Sequence, residues 1–242
     1  MSPELTPTLS PALLTLSGLL STVGVYALAK AIWRRTGSFW TSPIIVTPTV
    51  LLLAQATLGF SFDDYWLGAH WLTWMLGPAT IAFAVPVYTQ RELIRRHPIT
   101  IAAGVAVGLV VGLISVTAMA WALHLPEAIT RSLMTQFVSS PFALIATRHF
   151  GGQPELAVFF VLVTGIFGML VGRVWLRALG LRDALSLGAA LGAGAHGVGT
   201  ARAYQYATLC GALASLTMII TGVCMVLLSP WLAMGVNGLL QR

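Results

Sequence analysis

Long apolar blocks, separated by short polar stretches, constrain the fold of this chain more than any other feature of its sequence. Hydrophobic residues fill 57% of the 242 positions, charged residues fill only 8%, and the mean hydropathy is +0.86. A soluble domain usually carries about a quarter charged residues. The pattern therefore excludes a water-soluble globule, a disordered tail and a coiled coil, and it predicts a helical membrane protein.

The blocks predict one all-α, polytopic domain over residues 1–242 with about seven or eight membrane segments, since a crossing needs roughly 20 apolar residues. No room is left for a soluble catalytic module. The predicted segments cover 11–29, 43–58, 67–90, 99–122, 129–149, 156–171, 185–204 and 209–228.

The basic charge follows the ends of these blocks. The net charge is +6, but the arginines occur singly or in pairs, which favours a topological role over nucleic-acid binding. Lys30, Arg34 and Arg35 follow the first block, which predicts an N-terminus outside a bacterial inner membrane. Glu4 and the lack of a basic stretch before that block argue against a cleavable signal peptide.

The block 129–149 is broken in its middle by a Ser-Ser-Pro triplet, and two topologies stay open for it. If the block crosses the membrane, the arginines after the next block lie outside, against the positive-inside rule. A re-entrant block would place them in the cytoplasm, so the charge pattern favours re-entry. The arginines concerned are Arg173, Arg177 and Arg182.

Segments 76–80, 138–143 and 192–202 interrupt helices at membrane depth. Unwound backbone there needs protein groups or a water-filled cavity as hydrogen-bond partners. Half-helices that begin at such breaks direct free N–H groups and a positive dipole end at the cavity, which suits a small carboxylate. The candidate substrate-binding residues are Gly77, Pro78, Ala79, Thr80, Ser139, Ser140, Pro141, His196, Gly197, Gly199, Thr200 and Arg202.

Simpler interpretations of these features stay open at this point. Proline kinks explain the first two breaks, a neutral His196 bonded to a backbone carbonyl explains the third, and Arg202 can extend to the interface. Glycines repeat at helical spacing in 104–112 and 165–172, which is typical of close helix packing. A Pro-containing break followed by a glycine-striped helix occurs twice and indicates a candidate internal repeat.

Catalytic and metal-binding motifs are missing from the sequence. It holds no Gly-x-Ser-x-Gly elbow, His-Glu-x-x-His pair or phosphate loop, and its acidic residues lie near predicted helix ends. Cys210 and Cys224 are interpreted as small buried hydrophobic residues. We therefore expect no enzyme and no cofactor, with H⁺ or Na⁺ as a candidate coupling ion.

The broken segments resemble the LrgB/CidB family. The resemblance is carried by LGPATIAFAVPVYTQRE at 76–92, VSSPFA at 138–143 and HGVGTAR at 196–202, and it extends over about 42–230. It implies an integral inner-membrane protein that modulates murein hydrolase export and autolysis in a holin/antiholin scheme. Plant relatives act as the chloroplast glycolate/glycerate translocator, some bacterial relatives move pyruvate, and a small LrgA/CidA-type membrane protein is the implied partner.

The chain departs from the family pattern near the breaks. Gln136 stands where the family tends to have a basic residue, and Gln205, Thr208 and Cys210 stand where acidic residues usually occur. The family's Thr-Thr-Pro is here Ser-Ser-Pro, which keeps the hydroxyl donors.

Two functions follow as hypotheses. The first is a secondary transporter of small monocarboxylates such as glycolate, glycerate, pyruvate or lactate, in which Thr80, Ser139 and Ser140 donate hydroxyls and His196 or Arg202 supplies positive charge. The alternative is a non-transporting or holin-like membrane regulator of autolysis. No helix has the continuous polar face of a pore, which favours the carrier. The expected partners are the carboxylate, the lipid bilayer, the LrgA/CidA-type protein and a second copy of the chain, but no nucleic acid.

Overall fold

A computed structural model describes residues 11–59 and 61–240. Within these ranges the chain is helical and has no strand, which confirms the predicted all-α membrane class. The helices long and apolar enough to cross a membrane there are Leu16–Thr36, Phe62–Thr89, Pro98–Ala122, Pro154–Ala178 and Thr208–Val236, with Pro43–Leu58 as a shorter apolar helix. The stretch that holds Glu4 lies outside the described residues.

The chain divides into two compact units, one ending at Pro78 and the other beginning at Ala79. In the first unit, α1 (Pro11–Thr36) packs against α2 (Pro43–Leu58) and α3 (Phe62–Trp74). Gly18 permits the contact between α1 and α3, since a Cβ there would lie 2.3 Å from the carbonyl oxygen of Tyr65. The hydroxyls of Thr22 and Tyr65 meet at 2.9 Å and join the same helices.

The apolar block expected over 67–90 is divided by turns at Met75 and Phe83. Pro78 and Pro86 lie in the first turn of the helices that follow these turns, where the N–H that proline lacks is not needed. The first break therefore falls just before the Gly-Pro pair. The short helices of this region are α4 (Leu76–Ala82), α5 (Ala84–Thr89) and α6 (Arg91–Arg96).

The frame of the second unit consists of α7 (Pro98–Ala122), α10 (Pro154–Ala178) and α12 (Thr208–Leu240). Helix α12 lies at its centre, because 56% of its apolar window is buried, against 22% for α7 and 17% for α10. It packs against α7 and against the segments 127–150 and 184–206.

The segment 127–150 enters this frame and returns to the same side. It consists of α8 (Glu127–Leu133), a turn, and α9 (Ser140–Phe150). The hydroxyl of Ser132 accepts from the Gln153 amide at 2.8 Å, and the hydroxyls of Thr135 and Thr147 meet at 2.6 Å. These pairs run in opposite order along the chain, so the arms are antiparallel. Each arm is shorter than the roughly 20 residues of a crossing. This segment, hairpin 1, has the re-entrant topology that the charge pattern favours.

The helix α11 (Ala184–Tyr206) bends back on itself at His196, whose backbone has φ 39° and ψ −130°. A Cβ on Gly199 would lie 2.4 Å from the carbonyl oxygen of Leu191, although in a straight helix these residues lie about 12 Å apart along the axis. Ala203 shares a buried cluster with Leu187 and Leu191. The arms 184–195 and 197–206 are therefore antiparallel and form hairpin 2.

The sequence predicts a break over 192–202 within the block 185–204, and the structure shows that this break is a fold-back. Small residues make it feasible, since glycines let the arms and α12 approach at backbone distance. A Cβ on Gly188 would lie 2.4 Å from the Cys210 carbonyl oxygen, and one on Gly192 would lie 2.1 Å from that of Ala214.

The two hairpins enter from opposite ends of α10. The base of hairpin 1 lies at the start of α10, where a Cβ on Gly152 would lie 2.8 Å from the backbone of Arg131. The base of hairpin 2 lies near the other end, where the guanidinium of Arg173 lies 4.1 Å from the ring centroid of Tyr206. The hairpins therefore open toward opposite faces of the membrane.

One of these faces is strongly basic. Gly104 and Gly108 of α7 contact Ala189 and Ala193 of hairpin 2, so α7 begins on the face where hairpin 2 has its base. The segments that reach that face carry several arginines, which are Arg91, Arg95 and Arg96 before α7, Arg177 at the end of α10 and Arg182 before hairpin 2. We call this surface the basic face.

The glycine stripes serve packing. Gly112 of α7 contacts Phe137 of hairpin 1, and Gly165 and Gly168 of α10 contact His196 and Ala195 of hairpin 2. The stripes thus hold the hairpins against the long helices, as the simpler interpretation predicts.

Candidate functional site

The tips of the two hairpins meet at the middle of α10. Thr164 donates a hydrogen bond of 3.1 Å to the side-chain oxygen of Gln136 in the turn of hairpin 1. The next residue, Gly165, faces the imidazole of His196, and a Cβ there would lie 2.6 Å from Cε1. Because Thr164 and Gly165 are adjacent, the second and third breaks of the sequence lie at the same level of one helix.

Ser139 precedes the first turn of α9 at the tip of hairpin 1. Its carbonyl accepts from the amides of Phe142 and Ala143, both at 3.0 Å. Its hydroxyl is buried and has no hydrogen-bond partner. Ser140 and Pro141 follow as the first residues of α9 and are half-buried. A buried hydroxyl without a partner costs about 1–3 kcal/mol, so this group is available to a ligand.

His196 forms the tip of hairpin 2 and is only 3% exposed. The Val161 carbonyl faces the ring, yet Nε2 makes no hydrogen bond of normal geometry. The positive φ of this residue stores backbone strain. Gly197 after it is exposed, whereas Gly199 and Thr200 are buried, with the Thr200 hydroxyl 3.8 Å from the Met218 sulfur.

A cavity of about 690 Å³ opens beside the tips, between α7, α10 and the hairpins. Most of its wall is apolar or glycine, and the polar side chains on it are Thr100, Ser115, Gln136, Thr164 and Ser186. Gly194 of hairpin 2 is exposed at this wall. The volume lies in the range of about 300–1,000 Å³ that is typical of small-molecule sites.

From the sequence, Gln136 is evident only as a departure from the family pattern, and Thr164 is not evident as a site residue. A polar residue beside the glycine stripe of an apolar helix was the available signal for Thr164. Neither tip carries a charged side chain, since 134–140 and 194–199 contain only neutral groups and one histidine. The arrangement can hold a small solute through hydroxyl, amide and imidazole hydrogen bonds.

The structure does not bring Arg202 to the tips. Its Nε donates to the Tyr206 hydroxyl at 3.0 Å, and another guanidinium nitrogen donates to Gln205, toward the base of hairpin 2. The cation expected from the sequence at the site therefore lies at the membrane face.

The first break spans the boundary between the two units. Gly77 and Pro78 belong to the unit that ends at Pro78 and are exposed, as is Ala79. Thr80 lines another cavity, of about 650 Å³, together with Phe142. Among the described residues no group of histidine, cysteine or acidic side chains could hold a metal ion.

Comparisons with known proteins identify relatives over nearly the whole chain. The LrgB-like family model matches residues 22–234. The uncharacterized protein YwbG of Bacillus subtilis (strain 168) is 33% identical over 214 residues, which cover 88% of this chain and 95% of the relative. The antiholin-like protein LrgB of the same organism is 27% identical over 214 residues, which cover 88% of this chain and 93% of the relative. No solved structure matches the chain.

Proposed function

Because this chain belongs to the LrgB-like family, we propose that it acts as an antiholin-like membrane regulator of autolysis. The observation that supports the proposal is the match to an antiholin-like relative over nearly the full length of both chains. The described helices also lack the continuous polar face that would line a holin-like pore, which favours a restraining role over a leak.

Complementation tests this proposal. In Bacillus subtilis that lacks its antiholin-like protein LrgB, production of this chain should slow the loss of turbidity after cell-wall synthesis is blocked. Cells with the empty vector provide the baseline, and a Gly194→Ala variant provides a folded control because a Cβ there meets nothing within 4 Å. Unchanged lysis with the protein present in the membrane would contradict the regulatory role.

We propose that the basic face lies toward the cytoplasm of a bacterial inner membrane, in accordance with the positive-inside rule. Single cysteines on a background without Cys210 and Cys224 test this orientation. A cysteine at the exposed Gln153 should react with a membrane-impermeant reagent from outside, and one at Arg182 only from the cytoplasm. Gln153 is used because a Cβ on the adjacent Gly152 would lie 2.8 Å from the Arg131 backbone. Reaction of both from one side is incompatible with this arrangement.

A second candidate function, a carrier of small monocarboxylates, is favoured by a specific observation. The buried Ser139 hydroxyl and His196 Nε2 have no hydrogen-bond partner. Both belong to tips that converge next to the cavity of about 690 Å³, which Gln136 and Gly194 of these tips line. Unsatisfied polar groups in hydrocarbon are costly unless a ligand or water completes them. A carboxylate with a neighbouring hydroxyl or keto oxygen offers acceptors to these groups.

The hairpins suggest how such a carrier would alternate its access. They open toward opposite faces, so separation of either tip from α10 connects the cavity to one side only. The Gln136–Thr164 bond spans hairpin 1 and α10, so it is the contact that opening on one side would break. The neutral Gln136 limits the positive charge available to the substrate, which favours a monocarboxylate over a more highly charged anion.

Counterflow of labelled glycolate in liposomes separates the carrier from a pore. Uptake that saturates and is stimulated by glycolate inside supports a carrier, whereas a leak limited by solute size excludes it. Ser139→Ala should weaken the apparent affinity about tenfold, the value of one hydrogen bond to a charged group. Thr221→Val is the matched control, since that hydroxyl already donates to the Thr217 carbonyl at 2.7 Å within its own helix.

For either function we propose a small LrgA/CidA-type membrane protein as the partner, with a second copy of the chain as the alternative. To distinguish the two pairings, this chain is co-expressed with a differently tagged LrgA/CidA-type protein or with a differently tagged second copy and is purified in mild detergent. The protein that copurifies with it is the partner.

A further inference from the structure

At the base of hairpin 2, arginines from two different helices lie against one tyrosine ring. The guanidinium carbon of Arg173, on α10, lies 4.1 Å from the ring centroid of Tyr206, and that of Arg202 lies 5.3 Å from it. Arg202 is held at the hydroxyl end of the ring, because its Nε donates to the hydroxyl at 3.0 Å. The two guanidinium groups thus share one aromatic anchor.

Neither arginine is in an ion pair with one of the described acidic side chains. Within the part of the chain that the structure describes, the ion pairs are Arg96 with Glu92 and Arg131 with Glu127. Asp183 is the nearby acidic residue, since it and Arg173 both act on the Cys210 thiol. Its carboxylate, however, accepts the Ser186 amide at 2.8 Å as the cap of hairpin 2.

Arg173 also has an unused donor. Its Nε is buried and has no hydrogen-bond partner. A buried guanidinium N–H without an acceptor is costly, and a second uncompensated guanidinium nearby adds repulsion. Both costs disappear when an anion with several acceptor oxygens binds between the two side chains.

We propose that Arg173 and Arg202 form a binding site for a phosphate group at the membrane interface. Guanidinium groups match phosphate geometry and stay charged, so a pair of them is a preferred phosphate ligand. The neighbouring Trp175 is 64% exposed, as expected for a tryptophan at headgroup depth. The phosphate can belong to an anionic lipid or to a soluble compound, because the donors meet the same chemical group in both cases.

Binding measurements on the full chain distinguish these sources. In the first arm, native mass spectrometry compares binding of phosphatidylglycerol and phosphatidylcholine to the purified protein. In the second arm, the thermal midpoint in lipid-free detergent is measured against inorganic phosphate, with chloride at equal ionic strength as the reference. Arg173→Gln and Arg202→Gln are compared with Arg177→Gln, which removes an exposed arginine of the same helix α10.

We expect Arg173→Gln and Arg202→Gln to weaken phosphatidylglycerol binding about tenfold, while Arg177→Gln binds like the unmodified protein. If the two substitutions weaken the effect of inorganic phosphate but leave phosphatidylglycerol binding unchanged, the site is assigned to a soluble phosphate compound. If Arg173→Gln does not fold, Arg202→Gln decides, because its side chain is partly exposed. Equal binding by the Arg202→Gln and Arg177→Gln variants in both arms overturns the proposal.

Discussion

The two hairpins are held together by different kinds of interaction. Hairpin 1 is held together by polar side chains, including the Thr135–Thr147 pair and the bond from Arg131 to the Phe150 carbonyl at 2.6 Å. In hairpin 2 none of the described side chains joins the arms by a hydrogen bond. Its arms and α12 approach through glycines instead, at Gly192 and Gly199 among others.

This difference shows two ways to keep a re-entrant segment stable without water. Hydrogen bonds between side chains fix hairpin 1 but leave room for a longer turn, where Gln136 reaches the cavity. Close backbone packing fixes hairpin 2, allows no added atom where its glycines meet a neighbouring backbone, and requires a sharp reversal at His196. We therefore expect hairpin 1 to be sensitive to the loss of hydrogen-bonding groups, and hairpin 2 to be sensitive to added volume at its glycines.

The largest expected effect is that of a single added methyl group in hairpin 2. Gly192→Ala places a Cβ 2.1 Å from the Ala214 carbonyl oxygen and should destabilise the protein by about 3 kcal/mol or prevent its folding. The control Gly194→Ala adds the same group to the same arm where nothing lies within 4 Å. Thermal midpoints in detergent provide the measurement. Equal midpoints for the two variants would refute tight packing as the basis of hairpin 2.

Next in size is the loss of the arginine at the base of hairpin 1. Arg131→Gln removes the bond to the Phe150 carbonyl and an ion pair of 2.5 Å with Glu127. Because the arginine side chain is only 17% exposed, we expect a loss of about 2 kcal/mol in the free energy of unfolding.

The matched change at an exposed ion pair is Arg96→Gln, whose side chain is 71% exposed next to Glu92. It should cost about 0.5 kcal/mol or less. If chemical denaturation gives the same loss for both arginine variants, the base of hairpin 1 is not held by this side chain.

A double-mutant cycle probes the threonine pair within hairpin 1. Thr147→Val leaves the buried Thr135 hydroxyl without its partner at 2.6 Å, so we expect a loss of about 1–2 kcal/mol. Thr135→Val together with Thr147→Val should recover part of this loss, because neither hydroxyl then remains unpaired. Strictly additive losses would show that the two hydroxyls do not interact.

The smallest effect concerns the cap of hairpin 2. The Ser186 amide donates to Asp183 and lowers the pKa of that carboxyl below 3.8. Asp183→Ala should cost about 1 kcal/mol at neutral pH, the usual value of an N-cap. Because the pKa is lowered in the folded state, this contribution is present above the unfolded pKa and is lost as the pH falls through the folded value.

Melting curves of the Asp183→Ala and unmodified proteins should therefore converge at low pH. A difference in midpoint that stays constant as the carboxylate becomes protonated would rule out the charge as its source. Such a result would also mean that the Asp183 charge does not stabilise the base of hairpin 2.

Local signals made hairpin 1 predictable. A Ser-Ser-Pro triplet ends one helix and starts the next within a few residues, and the later arginines set the side on which the chain must return. The fold-back at His196 was not predictable in this way. A glycine-rich helix packs closely whether it is straight or bent, and the choice here depends on contacts of Gly188 and Gly192 with α12.

The site residues also differ in whether local sequence or distant contacts determine their positions. The breaks at Ser139 and His196 are visible in the sequence, but the Gln136–Thr164 bond joins positions that only the fold brings together. Arg202 was expected at the centre because of its closeness to His196 in sequence. Its side chain instead bonds to Tyr206, one turn further along its own helix, which directs it to the membrane face.

The central position of α12 has a consequence for biogenesis. Both hairpins pack on α12, and α12 follows both of them in the chain. During synthesis, the short arms therefore leave the ribosome before the helix that covers their exposed backbone. Neither hairpin is long enough to be stable as an isolated membrane-inserted segment. The insertion machinery must hold two incomplete segments until the last helix arrives, so ribosome pausing before α12 should make the nascent chain sensitive to membrane proteases.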